Sequence, residues 1–241
     1  MRLALAFILA FATSASAQSM TDAERDAFRA EVRAYLLENP EVIMEAVGIL
    51  QAREQQAAAN ADAQLAVTYA DQLFNDRHSF VGGNPDGDIT IVEFMDYRCG
   101  YCKRAFPEVA ELVASDGNIR YIVKEYPILG EASILASQFA IAVRLEAGDD
   151  AYHDIHNTLM EFRGEITEAA LTRLANTFDL DVDAIFAQMQ GPAVAEIIGR
   201  NRALGQNMAI SGTPTFVVQT ELVRGYIPFD QMAELVRQIR G

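Results

Sequence analysis

The segment Ile89-Thr90-Ile91-Val92-Glu93-Phe94-Met95-Asp96-Tyr97-Arg98-Cys99-Gly100-Tyr101-Cys102-Lys103 decides how the chain reads. From Ile89 to Met95 it is nearly continuous in apolar character, the pattern of a strand buried on both faces. Cys99 follows at once, and helical spacing runs from about Cys102 to Ala114. Asn118 to Tyr126, with Ile119, Tyr121, Ile122 and Val123, reads as a second strand. Strand, helix and strand at these lengths make a βαβ unit with a parallel pair.

Towards the C-terminus, Glu131 to about Met208 reads as helical. Breaks fall near Gly148-Asp149-Asp150, Arg163-Gly164, Phe178-Asp179 and Gly191-Pro192, giving four or five short helices. Strand signal returns at Thr215 to Val218 and around Leu222 to Tyr226, and Pro228 opens a last helix, Phe229 to Arg240. The order is β-α-β, a helical block over about 130–209, then β-β-α. That is an α/β layout in which one helical insert interrupts a central sheet.

Towards the N-terminus, Asn75 to Asp88 is rich in Gly, Asn, Asp and Pro and reads as loop. Residues 21–38 carry Phe28, Val32, Tyr35 and Leu36 at helical spacing, and Thr21 with Glu24 has the form of a capping box. Asn39-Pro40 ends this helix and starts another, with Asn39 as its N-cap. Ile43, Ala46, Val47 and Leu50 continue an apolar stripe that weakens into an Ala/Gln-rich run, an exposed helix or semi-rigid linker. Residues 18–74 therefore read as a helical appendage to a domain over 75–241. A stripe on an appendage with no core of its own points to self-association; packing on its own catalytic domain is the alternative. Arg2, the apolar run Leu3 to Ala12, and Ala15-Ser16-Ala17 have the form of a signal peptide over 1–17 with a cleavage site before Gln18. Export is the expectation.

The formal net charge of −15 repels nucleic acid and anionic lipid, so neither is an expected partner. The chain has two cysteines, Cys99 and Cys102. Exported proteins commonly carry structural disulfides, but this pair closes a loop too small to staple a fold, so its role reads as chemical. A helix N-terminus offers unpaired amides and the positive end of the helix dipole, which favour a thiolate. Cys99, at the helix start, is the expected nucleophile. Cys102, one turn inside, would resolve the mixed disulfide. Zinc would need about two more ligands, and the closest pair, His153 and His156, lacks finger spacing. Haem attachment requires His after the second cysteine, where Lys103 stands. The methionines are scattered rather than clustered as in soft-metal carriers. No cofactor and no resident metal are expected. His78 reads as a loop residue, and His153 and His156 as a solvated helix face or insert packing.

The segment Phe94 to Lys103 resembles the active site of the DsbA-like thioredoxin family. Thr213-Pro214 ahead of a strand resembles that family's cis-proline loop, and Pro107 its helix-kinking proline. The resemblance covers about residues 78–241 and implies a thioredoxin fold carrying the helical insert. Residues 21–60, with Glu38-Asn39-Pro40-Glu41-Val42-Ile43, are similar to the N-terminal segment of suppressor-of-copper-sensitivity protein C and its relatives. Some of these oligomerise through that region and act as isomerases.

The family implies roles for three further residues. Pro214, if cis, brings the Thr213 backbone beside the sulfurs, where a substrate strand can pair. Thr213 could tune the thiolate. Glu93 would be a buried acid that shuttles a proton to or from Cys102, with a raised pKa suited to the task; a rim glutamate in water is the other reading. Lys124-Glu125 could pair near Glu93.

The function implied is an exported, for example periplasmic, protein disulfide oxidoreductase. Its partners would be exported proteins with cysteines or disulfides and a membrane thiol redox partner. The Gly-Tyr dipeptide between the cysteines and the possible oligomerisation segment favour isomerase or reductase mode. A DsbA-type dithiol oxidase is the alternative, and a copper- or zinc-binding thiol protein a more distant one.

Overall fold

The computed structural model describes residues 20–241, so the expected signal segment 1–17 lies outside the described residues. The described chain divides after Gln55 into two compact units.

The first unit holds helix α1 (Asp22–Glu38) and the beginning of α2 (Glu41–Thr68). The Thr21 capping box forms: the Glu24 amide donates to the Thr21 hydroxyl at 3.3 Å, and the Glu24 carboxylate accepts from the Thr21 amide at 2.8 Å. Asn39 acts differently from its expected role. Its side-chain amide turns back to donate to the Tyr35 carbonyl at 3.0 Å, closing the end of α1 rather than opening α2. No residue of α1 is buried. Phe28, Tyr35 and Leu37 of α1, and Ile43, Met44, Ile49 and Leu50 of α2, are all more than half exposed.

The second unit is built on a five-stranded sheet in the order β1-β3-β2-β4-β5. Its strands are β1 (Phe80–Gly83), β2 (Ile89–Met95), β3 (Ile119–Glu125), β4 (Thr215–Val218) and β5 (Glu221–Arg224). Between the second and third strands runs α4 (Gly100–Asp116), closed by Gly117 in the left-handed conformation (φ 71°). The parallel pair expected from the βαβ reading is present, with Ile89 opposite Ile119 and Glu93 opposite Val123. The other pairings are antiparallel. β1 corrects the reading of 75–88 as loop: Phe80 to Gly83 pairs along the outer edge of β3. Two of its four residues are glycine, which hides the strand signal.

Alternation along β2 assigns the two faces of the sheet. Ile91 packs with α4 and with α9 (Phe229–Arg240), through Val109, Leu112, Met232 and Val236. Val92 and Phe94 face the opposite layer, where α3 (Ala70–Phe74), α8 (Pro192–Asn207) and the end of α2 supply Leu73, Leu204 and Ala66. The end of α2 and α3, grouped by the sequence with an appendage over 18–74, thus belong to the core of the second unit.

The insert comprises α5 (Glu131–Glu161), α6 (Glu168–Thr177), α7 (Val182–Met189) and α8. α5 is broken at Gly148, whose φ of 89° and ψ of −174° are open to glycine and not to other residues. The fold is the α/β thioredoxin fold with inserted helices. No described helix is long and apolar enough to cross a membrane.

Candidate active site

The site begins where β2 ends. Asp96 closes the strand, and its carboxylate accepts from the Arg98 amide two residues on at 2.8 Å, an Asx turn that reverses the chain. The Cys99 amide donates to the Asp96 carbonyl at 3.0 Å. Cys99 itself is the N-cap of α4, extended at φ −74° and ψ 117°, so its side chain lies beside the free amides of the first turn. The residue retains 7% exposure against 0% for Cys102. Both are free thiols.

The two sulfurs sit in opposite electrostatic conditions. The Cys102 thiol donates to Cys99; burial opposes ionisation, but the Thr213 side chain and the Cys102 and Tyr101 amides also favour the thiolate. The Cys99 pKa is held down to about 5. Burial foremost, then donation to Cys99 and the charges of Glu93 and Cys99, push the Cys102 thiol far above its ordinary range.

The Thr213–Pro214 peptide is cis. Its loop meets Cys99: the Thr213 carbonyl accepts from the protonated Cys99 thiol at 3.0 Å. Among the described residues the Thr213 hydroxyl is buried and has no partner while Cys99 is a thiol, which leaves it to donate once the sulfur ionises.

Glu93 is 1% exposed, so its side chain is in the interior rather than at a rim. Burial pushes its pKa up to about 7, with the hydrogen bond from Tyr121 opposing and the charge of Cys99 adding. The Tyr121 hydroxyl donates to one carboxylate oxygen. The other, Oε1, is buried and unpartnered among the described residues.

Lys124 and Glu125 do not join Glu93. Lys124 projects from the opposite face of β3 and pairs with Asp76 and the Gln72 carbonyl. Glu125 shares the Glu93 face but heads a separate cluster. Its carboxylate accepts from Tyr97, Tyr152 and Ser137, each at 2.7 Å. Burial pushes it up to about 7. His156 is 2% exposed, stacks on Tyr152 and places Nδ1 3.0 Å from the Tyr97 hydroxyl. Burial lowers its pKa to about 3. The neighbouring His153 keeps an exposed side chain. His78 contacts Asn201 at 3.1 Å and Asp76 at 3.0 Å.

Sequence reasoning missed Asp96, Tyr97 and Tyr121. Asp96 carried a signal, since a strand end followed by Asp commonly makes an Asx turn. Tyr121 lies two residues before Val123, the partner of Glu93, and so on the same face of β3. That register is visible only once the strands are paired.

The comparisons with known proteins agree with this geometry. Residues 90–237 match the DSBA-like thioredoxin domain. The chain belongs to that family, and its larger unit is a thiol–disulfide oxidoreductase domain. Residues 24–57 match the N-terminal domain of copper resistance protein ScsC. Among solved structures, a thioredoxin-like oxidoreductase from Silicibacter pomeroyi is 40% identical, with a TM-score of 0.66 over 70% of this chain and 96% of that one. ScsC of Proteus mirabilis in a transitional conformation is 27% identical, with a TM-score of 0.66 over 91% of this chain and 96% of that one. Disulfide bond formation protein D of Bacillus subtilis is 25% identical over 66% of this chain and 76% of its own length. The Na(+)/H(+) antiporter NhaA 3 of Salinispora tropica is 31% identical over 57% of this chain, and the chain spans 21% of that protein's length.

Proposed function

We propose that the whole protein is exported and exchanges disulfides with other exported proteins, working from its reduced form as an isomerase or reductase. The observation that carries the reading is Cys99 at the start of α4, ionised near neutral pH and beside the buried, protonated Cys102. The Cys99 thiolate attacks a substrate disulfide, forming a mixed disulfide and releasing one substrate thiolate. The Thr213 hydroxyl is free to donate to the thiolate before attack. In isomerisation the released thiolate attacks a second substrate disulfide, and the chain of exchanges ends by freeing Cys99. In reduction Cys102 passes its proton to Glu93 and attacks Cys99 Sγ, releasing the second substrate sulfur as a thiolate and leaving a Cys99–Cys102 disulfide. A membrane thiol donor then restores the dithiol. Glu93, with one oxygen unpartnered and a pKa near 7, fits the proton acceptor of that step.

Self-association through α1 and the start of α2 completes the reading. The first unit buries no residue of α1 and exposes a row of large apolar side chains. Such a surface is stabilised by a second copy of itself. Holding several nucleophiles in one assembly suits repeated attack on wrongly paired substrates. The Gly-Tyr dipeptide between the cysteines supports the same mode.

The test measures refolding of a scrambled, disulfide-bonded protein together with solution mass, for residues 18–241 and for a chain lacking residues 18–55. Truncation is expected to give a monomer, weaken isomerisation several-fold and leave exchange with a small disulfide intact. An unchanged mass defeats the self-association claim. Efficient oxidation of reduced substrates with no isomerisation favours the dithiol oxidase. The match of residues 24–57 to a copper resistance protein's domain keeps a metal-binding reading in view. Among the described residues no group of three or more His, Cys, Asp or Glu side chains is placed to hold an ion, so a metal would rest on the two thiols. Stoichiometric copper retained against a chelator supports that reading.

A further inference from the structure

The rim of the site carries charge opposite to that of the molecule. Arg98 directly precedes Cys99, and Asp96 fixes its backbone from below. The buried Asp96 carboxylate accepts from the amides of Arg98 (2.8 Å), Ile128 (2.8 Å) and Leu129 (3.1 Å). One side chain thereby ties the turn before the nucleophile to the loop after β3, which presents Leu129 at 52% exposure. On the other side Lys103, in the first turn of α4, donates to the Leu159 carbonyl at 3.2 Å and to the Phe162 carbonyl. These carbonyls close α5, so Lys103 is committed to a helix C-terminus and holds the next residue, Arg163, near the same rim.

Arg98 and Arg163 are exposed. Among the described residues neither has a carboxylate within ion-pair distance. Both charges act on Lys103: after burial, they are what lowers its pKa. Glu161 and Glu165 flank Arg163 in sequence, and neither is within ion-pair distance of it among the described residues. A molecule of formal net charge −15 thus places Arg98 next to its nucleophile and Arg163 near Lys103 of the same helix start, neither of them in an ion pair among the described residues.

We propose that Arg98 and Arg163 select substrates by charge: segments whose reactive cysteine is flanked by Asp or Glu dock better than neutral or basic ones. This rests on the thiol-exchange reading above. Tyr101, between the two cysteines, and Leu129, in the loop held by Asp96, are exposed and offer apolar contact at the site. Exposed ion pairs are individually weak, so two of them predict a preference of roughly three- to tenfold.

The experiment uses the reduced full chain and three peptide disulfides of equal length, with Asp/Glu, Ser/Gln or Lys/Arg around the cysteine. Exchange rate constants are measured at low ionic strength and at high salt. Each is divided by the rate with an uncharged small thiol, which removes intrinsic differences in reactivity. The acidic peptide should exceed the basic one roughly three- to tenfold at low salt, and the ratio should shrink towards one at high salt. Arg98→Glu with Arg163→Glu should invert the ratio, and Arg98→Lys should keep it. A ratio of one or less for the wild type at low salt overturns the proposal, as does a ratio unmoved by both reversals. Absence of exchange with every peptide overturns the thiol-exchange reading itself.

Discussion

The surroundings of Glu93 and of Glu125 are two buried polar sites on the same sheet face, and they are finished to different degrees. Both carboxylates are almost wholly buried and both are pushed up to about 7. Glu125 accepts three hydroxyl hydrogen bonds at 2.7 Å, shared between its two oxygens. Glu93 has one donor, Tyr121, while its second oxygen stands unpartnered near the thiols, as does the Thr213 hydroxyl. A buried polar group left incomplete costs stability and is rare in folded proteins. Beside Cys99 and Cys102, incompleteness fits groups that take a reacting atom as partner in the proposed exchange, whereas the fully bonded Glu125 carboxylate couples β3 to α5 of the insert, leaving His156 Nε2 as the open atom of that cluster among the described residues. Similar pKa values hide this distinction; the count of hydrogen bonds reveals it.

The difference predicts contrasting variants. Glu93→Gln should slow the Cys102-dependent release of a mixed disulfide roughly 10²-fold, within the range of general acid–base catalysis. It should leave initial attack by Cys99 within about twofold, since that step needs no proton from Glu93. Stopped-flow exchange followed by quenched mass analysis separates the two steps; equal slowing of both would assign Glu93 a structural role. Glu125→Ala should do the reverse. It strands the Tyr97, Tyr152 and Ser137 hydroxyls in the interior and should cost about 3 kcal/mol, read by urea unfolding. A loss below about 1 kcal/mol would contradict the account of that cluster.

A smaller effect lies in the pH dependence of stability. Folding raises the Glu93 pKa from 4.5 to about 7, so the unfolded chain releases that proton first. Its contribution to stability therefore falls as pH rises from about 4.5 to 7 and is flat above. Glu93→Gln should remove this slope and gain about 3 kcal/mol relative to wild type between pH 4 and pH 8. The difference between the two proteins cancels the opposite trend from Cys99, whose lowered pKa adds stability as pH rises from about 5 to 9. Parallel stability curves would mean that Glu93 is solvated.

Much of this architecture is legible in the sequence because its signals are local. The apolar run Ile89 to Met95, the glycine and proline breaks of the insert and the Thr21 capping box each read within a few residues. So does the placement of Cys99 at a helix start. β1 was invisible because its Gly82-Gly83 pair has no strand preference of its own and depends on the β3 edge. The partners of Glu93 and Glu125 were hidden for another reason. Tyr121 and Tyr152 reach them through strand register and through the packing of α5, and neither is set by nearby residues. Asp96 lies between these cases. Its turn is local, but its hold on Ile128 and Leu129 spans the whole βαβ unit.

The measurement that bears most directly on the central claim is the rate of Cys99 alkylation in the reduced protein as a function of pH, with Cys102→Ala to assign the signal. The structure predicts a transition near pH 5 in the wild type, which moves upward when the thiol of Cys102 no longer donates to Cys99. A wild-type thiol that stays unreactive until about pH 8.5 or above, the range of a free cysteine, would contradict the account.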